Sequence, residues 1–119
     1  MFKFENLKVW QKSIELVDLI YRLTRNFPKD EVFGLTSQIR RATVSIALNI
    51  AEGSGKTTNK DFCRFLHDSL GSLREVVTLL IIAKKQDYIN AEQLDQAYAD
   101  AEEISRMIYG LEKKLLGSR

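Results

Sequence analysis

One cysteine, one proline and one histidine stand among 119 residues. A lone Cys63 excludes an internal disulfide. A lone Pro28 leaves long stretches free to be helical. Cys63 and His67 are four apart and would share a helix face, which is ligand spacing. No second cysteine or histidine exists to complete a metal site, so Cys63 reads as a small packed residue and no metal is expected. His67 would also have to serve any serine or cysteine nucleophile, and no nucleophile motif or glycine elbow accompanies it. The carboxylates Glu31, Glu52 and Glu75 lack the Glu-x-x-His repeats of di-iron bundles. The expectation is a protein that is not an enzyme and has no cofactor.

Long apolar runs are missing too. Nothing reaches the roughly 18 apolar residues that a membrane span requires. The start, MFKFENLKVW, has neither the continuous apolar segment nor the small-residue cleavage site of a secretion signal, so a cytoplasmic protein without membrane contact is expected. Charge of one sign is scarce as well, with a net charge of only +2. It divides unevenly: residues 1 to 60 carry 10 basic and 6 acidic side chains, and residues 61 to 119 carry 8 and 10. That permits an anionic partner without demanding one. Residues 53 to 58, GSGKTT, have the look of a phosphate-binding loop. The required glycine five places before Gly55 is Ile50, however, and the segment follows a helix instead of a strand.

What is present is helical patterning: 45% hydrophobic and 29% charged residues, in a length that makes one domain, 1–119, with one core. Four segments emerge from periodicity and punctuation. The first covers about residues 7 to 26, with Trp10, Ile14, Val17, Tyr21 and Thr24 on one stripe and Leu16, Ile20, Leu23 and Phe27 beside it; Pro28 stops it. The second covers about 35 to 52, with Leu35, Ile39, Ala42, Ile46 and Ile50 inward and Gly53 and Gly55 ending it. The third, about 58 to 86, starts from a Thr58 cap with Asp61 in a variant of the capping box. The fourth starts at Asn90 with Gln93 in the reciprocal capping position. It turns Leu94, Ala97, Ala101, Ile104, Ile108, Leu111 and Leu115 inward, close to a heptad seam. Short loops favour antiparallel neighbours, so the fold class is all-α, an up-down-up-down antiparallel four-helix bundle.

Three surfaces invite a functional reading. Val76, Val77, Leu79, Leu80, Ile81, Ile82 and Ala83 surround Thr78 with apolar side chains pointing every way, which a surface helix should not tolerate. At 1.5 Å per residue the first two helices would be about 27 to 30 Å long and the last two about 39 to 43 Å. The run would then lie on an overhang, and the expected cover is a second copy of the chain. The alternative is that residues 1 to 6, with Phe2 and Phe4, fold back over it. On helix two, Gln38, Arg41, Ser45, Asn49 and Glu52 form a polar stripe beside the apolar one, and Arg40, Val44, Ala47 and Ala51 form a flank with small side chains. The stripe reads as a polar packing network reaching Ser69, Ser72 or Glu75; the alternative is a functional groove. For nucleic acid the candidates are Arg40, Arg41, Lys56, Lys60 and Arg64 near the second turn, with Lys8, Lys12, Arg22 and Arg25 on helix one.

The strings LTSQIRRATVSIALNIAEGSGK (35 to 56), DFCRFL (61 to 66) and GSLREV (71 to 76), preceded by LKVWQKSIELV (7 to 17) and FPKDEVFGL (27 to 35), resemble the four-helix-bundle family of 23S rRNA intervening-sequence proteins. That family is similar to the accessory proteins of diversity-generating retroelements. The resemblance covers nearly the whole chain. It implies a bacterial, homopentameric, barrel-like assembly with basic surfaces and no enzymatic activity. For the retroelement members it implies binding to RNA or DNA and to a reverse transcriptase. A structural scaffold that binds another protein is the alternative function.

Overall fold

The computed structural model describes residues 1–117. Its helices are α1 (Lys8–Thr24), α2 (Leu35–Ser54), α3 (Asn59–Lys85) and α4 (Ala91–Leu115), with short 3₁₀ turns at Lys3–Asn6 and Lys29–Glu31. Among the described residues each helix packs on its neighbour in sequence, α1 closes the ring against α4, and α2 and α3 lie together most extensively. The four therefore surround one core, alternating in direction. This is the up-down-up-down bundle that short connections impose.

The caps explain the starts. The Thr58 hydroxyl accepts the Asp61 amide at 3.1 Å. Asp61 does not return the bond; its carboxylate turns to Arg64 instead. Asn90 and Gln93 close both halves of a capping box at 2.8 and 2.9 Å, satisfying amides that the first turn leaves free. At the end of α2 the expectation needs correcting, because Gly53 lies inside the helix and Gly55 caps it. The fully buried Leu16, Ile20, Ile39, Ile46, Ile50, Leu66, Leu80, Ile104 and Ile108 line the axis. Each such side chain contributes roughly 1.5 to 3 kcal/mol of hydrophobic stabilisation.

The start of α2 is held by a residue that periodicity overlooks. Gly34 offers no side-chain cap, and Glu31 supplies one: its Oε1 accepts the Leu35 amide at 3.1 Å and its Oε2 accepts the Tyr88 hydroxyl at 2.9 Å. One carboxylate thus caps a helix and ties the α1–α2 connection to the turn after α3. A Cβ on Gly34 would sit 2.8 Å from that carboxylate oxygen, so glycine keeps the latch open to it. The Leu35 amide first, and the Tyr88 hydroxyl second, hold the Glu31 carboxyl below its ordinary range, against a smaller opposing effect of burial. A carboxylate with a depressed folded pKa stabilises the fold above its unfolded pKa and loses that stabilisation as pH falls through the folded value. Glu31→Gln is therefore expected to lower the melting temperature by a few degrees at neutral pH. The difference from wild type should vanish in strong acid, which thermal melts across a pH series would check.

The apolar run in α3 is covered differently from either expectation. Val76, Leu80 and Ala83 are fully buried and Leu79 is 5% exposed, all within the core that also holds Phe27, Leu35, Ile89 and Ala97. Naming these four as an oligomer interface is corrected: a side chain enclosed by its own subunit has nothing left to offer a partner. The physical reason is the connection. Phe27 folds in after α1 and packs its ring 5.4 Å from Tyr88, so the two loops close over the overhanging end of α3. Residues 1 to 6 are not the cover, since their 3₁₀ turn packs on α1 and α2 at the opposite end, with Phe4 against Trp10. Only Val77, half-buried, and Ile81 and Ile82, each 40% exposed, remain available.

Candidate nucleic-acid and partner-binding surfaces

The polar stripe of α2 splits into two parts. Its middle bonds between helices: the Ser45 and Ser72 hydroxyls pair, and Ser69, fully buried, donates to the Ile46 carbonyl at 2.9 Å. Such bonds fix the register of α2 against α3, because a slip would leave a buried hydroxyl unsatisfied. Asn49 stays within its own helix, donating to the Ser45 carbonyl. Glu52 pairs with Lys56 at the surface. Gln38, Arg41 and Glu75 are exposed and their side chains make no hydrogen bond or ion pair among the described residues; together with Phe33 and Ser37 they line an open groove of about 550 Å³ between α2 and α3. For Gln38, Arg41, Glu52 and Glu75 the network expectation is corrected: Gln38, Arg41 and Glu75 border a solvent-open groove where water satisfies them, and Glu52 turns to Lys56.

The five cations named from sequence do not form one patch. Arg40 is an internal strut: its Nε donates to Thr24 Oγ1 at 2.8 Å and its guanidinium lies 4.5 Å over the Tyr21 ring, joining α2 to α1. Arg41 is exposed beside it. Lys56, Lys60 and Arg64 sit at the other end of the bundle. Fifteen residues of chain separate Arg41 from Lys56, about 22 Å of helix. Lys56 pairs with Glu52 at 3.3 Å and Arg64 with Asp61 at 3.8 Å, both at the surface. Exposed pairs of this kind give little stability and yield readily to another anion. Phe65 lies between them, 5.1 Å from Lys56 Nζ and 4.9 Å from the Arg64 guanidinium. On α1, Lys12 is taken up by Asp100 at 3.4 Å and Glu103 at 3.3 Å across the α1–α4 seam. Burial opposes its charge, but those carboxylates outweigh it and hold the ammonium above its ordinary range.

A further surface is apolar. Phe33 is 96% exposed, Leu48 63% and Val32 50%, all on or beside the outward side of α2. Cys63 and His67 diverge despite their spacing: Cys63 is buried, its thiol pushed up by burial and then by Glu112, while exposed His67 pairs with Glu112 across to α4. No group of three metal-ligating side chains comes together among the described residues. Nor is any described helix long and apolar enough to cross a membrane.

The family model described as "23S rRNA-intervening sequence protein" matches residues 5–110. The chain belongs to that family. A solved structure described as a protein of unknown function from the S23 ribosomal protein family of Bacteroides thetaiotaomicron is 28% identical, with a TM-score of 0.78 over 88% of this chain and 98% of its own. Curated proteins give no match.

For this intervening-sequence protein, two sets of surface residues escaped the sequence reading. Lys113 and Lys114 join Lys60 at one end of the bundle, because the Asn59 side-chain amide donates to the Leu115 carbonyl at 2.9 Å and so fastens the start of α3 to the end of α4. All three lysines are exposed, and none has a carboxylate within ion-pair distance among the described residues. Residue pairing along the antiparallel α3–α4 hairpin would have found them. Phe33 and Leu48 carried no such signal, since single apolar residues at a surface are ordinary until their neighbours are known.

Proposed function

We propose that this family member is a non-catalytic, homo-oligomeric protein that holds RNA on the end of the bundle where α2 finishes, α3 starts and α4 finishes. The carrying observation is the convergence of Lys60, Lys113 and Lys114, unpaired and exposed, beside the surface-paired Lys56 and Arg64. Cations gathered from the α2–α3 connection, α3 and α4 neutralise phosphates without reading bases. The faces of Phe65 are already flanked by Lys56 and Arg64, so the site offers charge more than a platform for stacked bases. The family's link to ribosomal RNA insertions supports RNA over duplex DNA. Several copies in one assembly would multiply a weak local contact.

The test is a titration of labelled structured RNA at about 50 and about 200 mM salt, where log affinity falls in proportion to the phosphates contacted. The triple change Lys60→Glu, Lys113→Glu, Lys114→Glu is expected to weaken binding at least about tenfold and to flatten the salt dependence by about two to three phosphate contacts. The RNA should be recovered uncut. Binding that ignores salt, or that survives the triple change, would overturn the proposal; tighter binding to duplex DNA would move it to that partner.

A further inference from the structure

We propose that the outward face of α2 and the groove between α3 and α4 are the two halves of a single head-to-tail contact between copies of this chain. The inference rests on the homo-oligomeric part of the function proposed above and assigns its interface. The first half is built from Phe33, Val44 and Leu48, with Arg41 among them and Glu75 at the margin. The second is a groove of about 380 Å³ between α3 and α4, where Val77 is half-buried and Tyr98 and Tyr109 are 40% and 49% exposed, with Arg74 and Glu102 alongside. Both carry large apolar side chains of the kind an isolated bundle would bury. Each also holds a cation and an anion with no ion-pair partner among the described residues: Arg41 and Glu75 on the first, where neighbouring Arg40 is already held by Thr24 and Tyr21, and Arg74 and Glu102 on the second. Opposed, the faces match Arg41 to Glu102 and Glu75 to Arg74, and the exposed Phe33 ring has an apolar groove to enter.

A two-fold contact of α2 with α2 fits worse. Arg41 lies midway between Phe33 and Leu48, so a symmetric pairing centred on that face would bring two guanidiniums together, and like charges in contact are unfavourable. The ring order of the helices also decides how repeated contacts propagate. The α2 face and the α3–α4 groove lie on neighbouring sides of the bundle and not on opposite ones, so copies turn at each step, the condition under which a head-to-tail contact can close into a ring instead of extending as a straight fibre.

Leu48→Glu and Tyr98→Glu each spoil one half at an exposed position. By light scattering or sedimentation of the full chain, each variant is expected to fall from the wild-type assembly to the mass of a single chain, with its helical circular dichroism intact. An equal mixture should give a species of two chains and no larger, because each variant retains the half that the other lacks. As a milder pair, Arg41→Glu and Glu102→Arg should each weaken assembly alone and restore it when combined in one chain. Assembly kept by Tyr98→Glu but lost by Leu48→Glu would mean α2 meets α2 and would overturn the assignment. So would an assembled wild type indifferent to both changes, which leaves the homo-oligomeric reading standing. A wild type of single-chain mass at every concentration would remove both, and the RNA titration would be judged separately.

Discussion

Leu80→Ala is expected to destabilise the chain by about 3 to 4 kcal/mol, the cost of a large cavity in a tightly packed core. Leu80 is fully buried, with Val76 and Ala83 a turn away on the same fully buried face and Leu79 beside it. Ile82, two residues on, nearly on the opposite side of the helix and 40% exposed, is the internal control. Ile82→Ala should cost no more than about 1 kcal/mol, since part of that side chain stays in water and no enclosed cavity is left. Urea unfolding followed by circular dichroism measures both. Were the run an interface between copies, as its composition suggests, Leu80→Ala would instead leave the unfolding free energy of the single chain nearly unchanged and chiefly dissociate the assembly. That pattern would contradict the enclosed position described above.

Gly53→Ala is expected to cost up to about 2 kcal/mol net, although alanine is the better helix former by about 1 kcal/mol. The sign follows from space. A Cβ at residue 53 would stand 2.8 Å from Phe65 Cβ, 2.9 Å from Phe62 Cδ1 and 3.2 Å from the Phe62 carbonyl oxygen. A flexible side-chain tip could swing away, but a Cβ moves only with the backbone that carries it and the carbonyl is itself α3 backbone. Relief requires α2 and α3 to separate at the end where Asn59 fastens α3 to α4. Overpacking of this kind typically costs about 1 to 3 kcal/mol. The same change at Gly110, where an added Cβ meets nothing within 4 Å, should stabilise the chain by a few tenths to about 1 kcal/mol. If Gly53→Ala raises the urea midpoint as Gly110→Ala does, the close approach of α2 and α3 is wrong.

The contrast between these two glycines shows how far the sequence could be followed. Read in order, Gly53 and Gly55 look like a stop signal, and only Gly55 is one. Gly53 is glycine for the sake of a phenylalanine on another helix. The Asn90–Gln93 cap, by contrast, is complete within four residues and could be read at once. The α4 seam could be read as well: Ala97, Ala101, Ile104 and Ile108 are buried, with Leu94, Leu111 and Leu115 packed against them. Among the candidate cations, type and helix were legible while neighbourhood was not. Arg40 and Arg41 are adjacent in sequence, yet one braces α1 and the other lines a groove.

By itself the sequence determined the four helices, their alternation in direction, the caps that start α3 and α4, and the family, because each of these is written in residues three or four apart or in short contiguous strings. Tertiary structure alone decided that Val76, Leu79, Leu80 and Ala83 lie inside the subunit, that Lys60 shares one end of the bundle with Lys113 and Lys114, and that Phe33 and Leu48 stay outside. Those outcomes depend on which residues some fifty positions apart come to face each other. Helical periodicity reports which side of a helix is apolar, and only the packed bundle shows what covers that side.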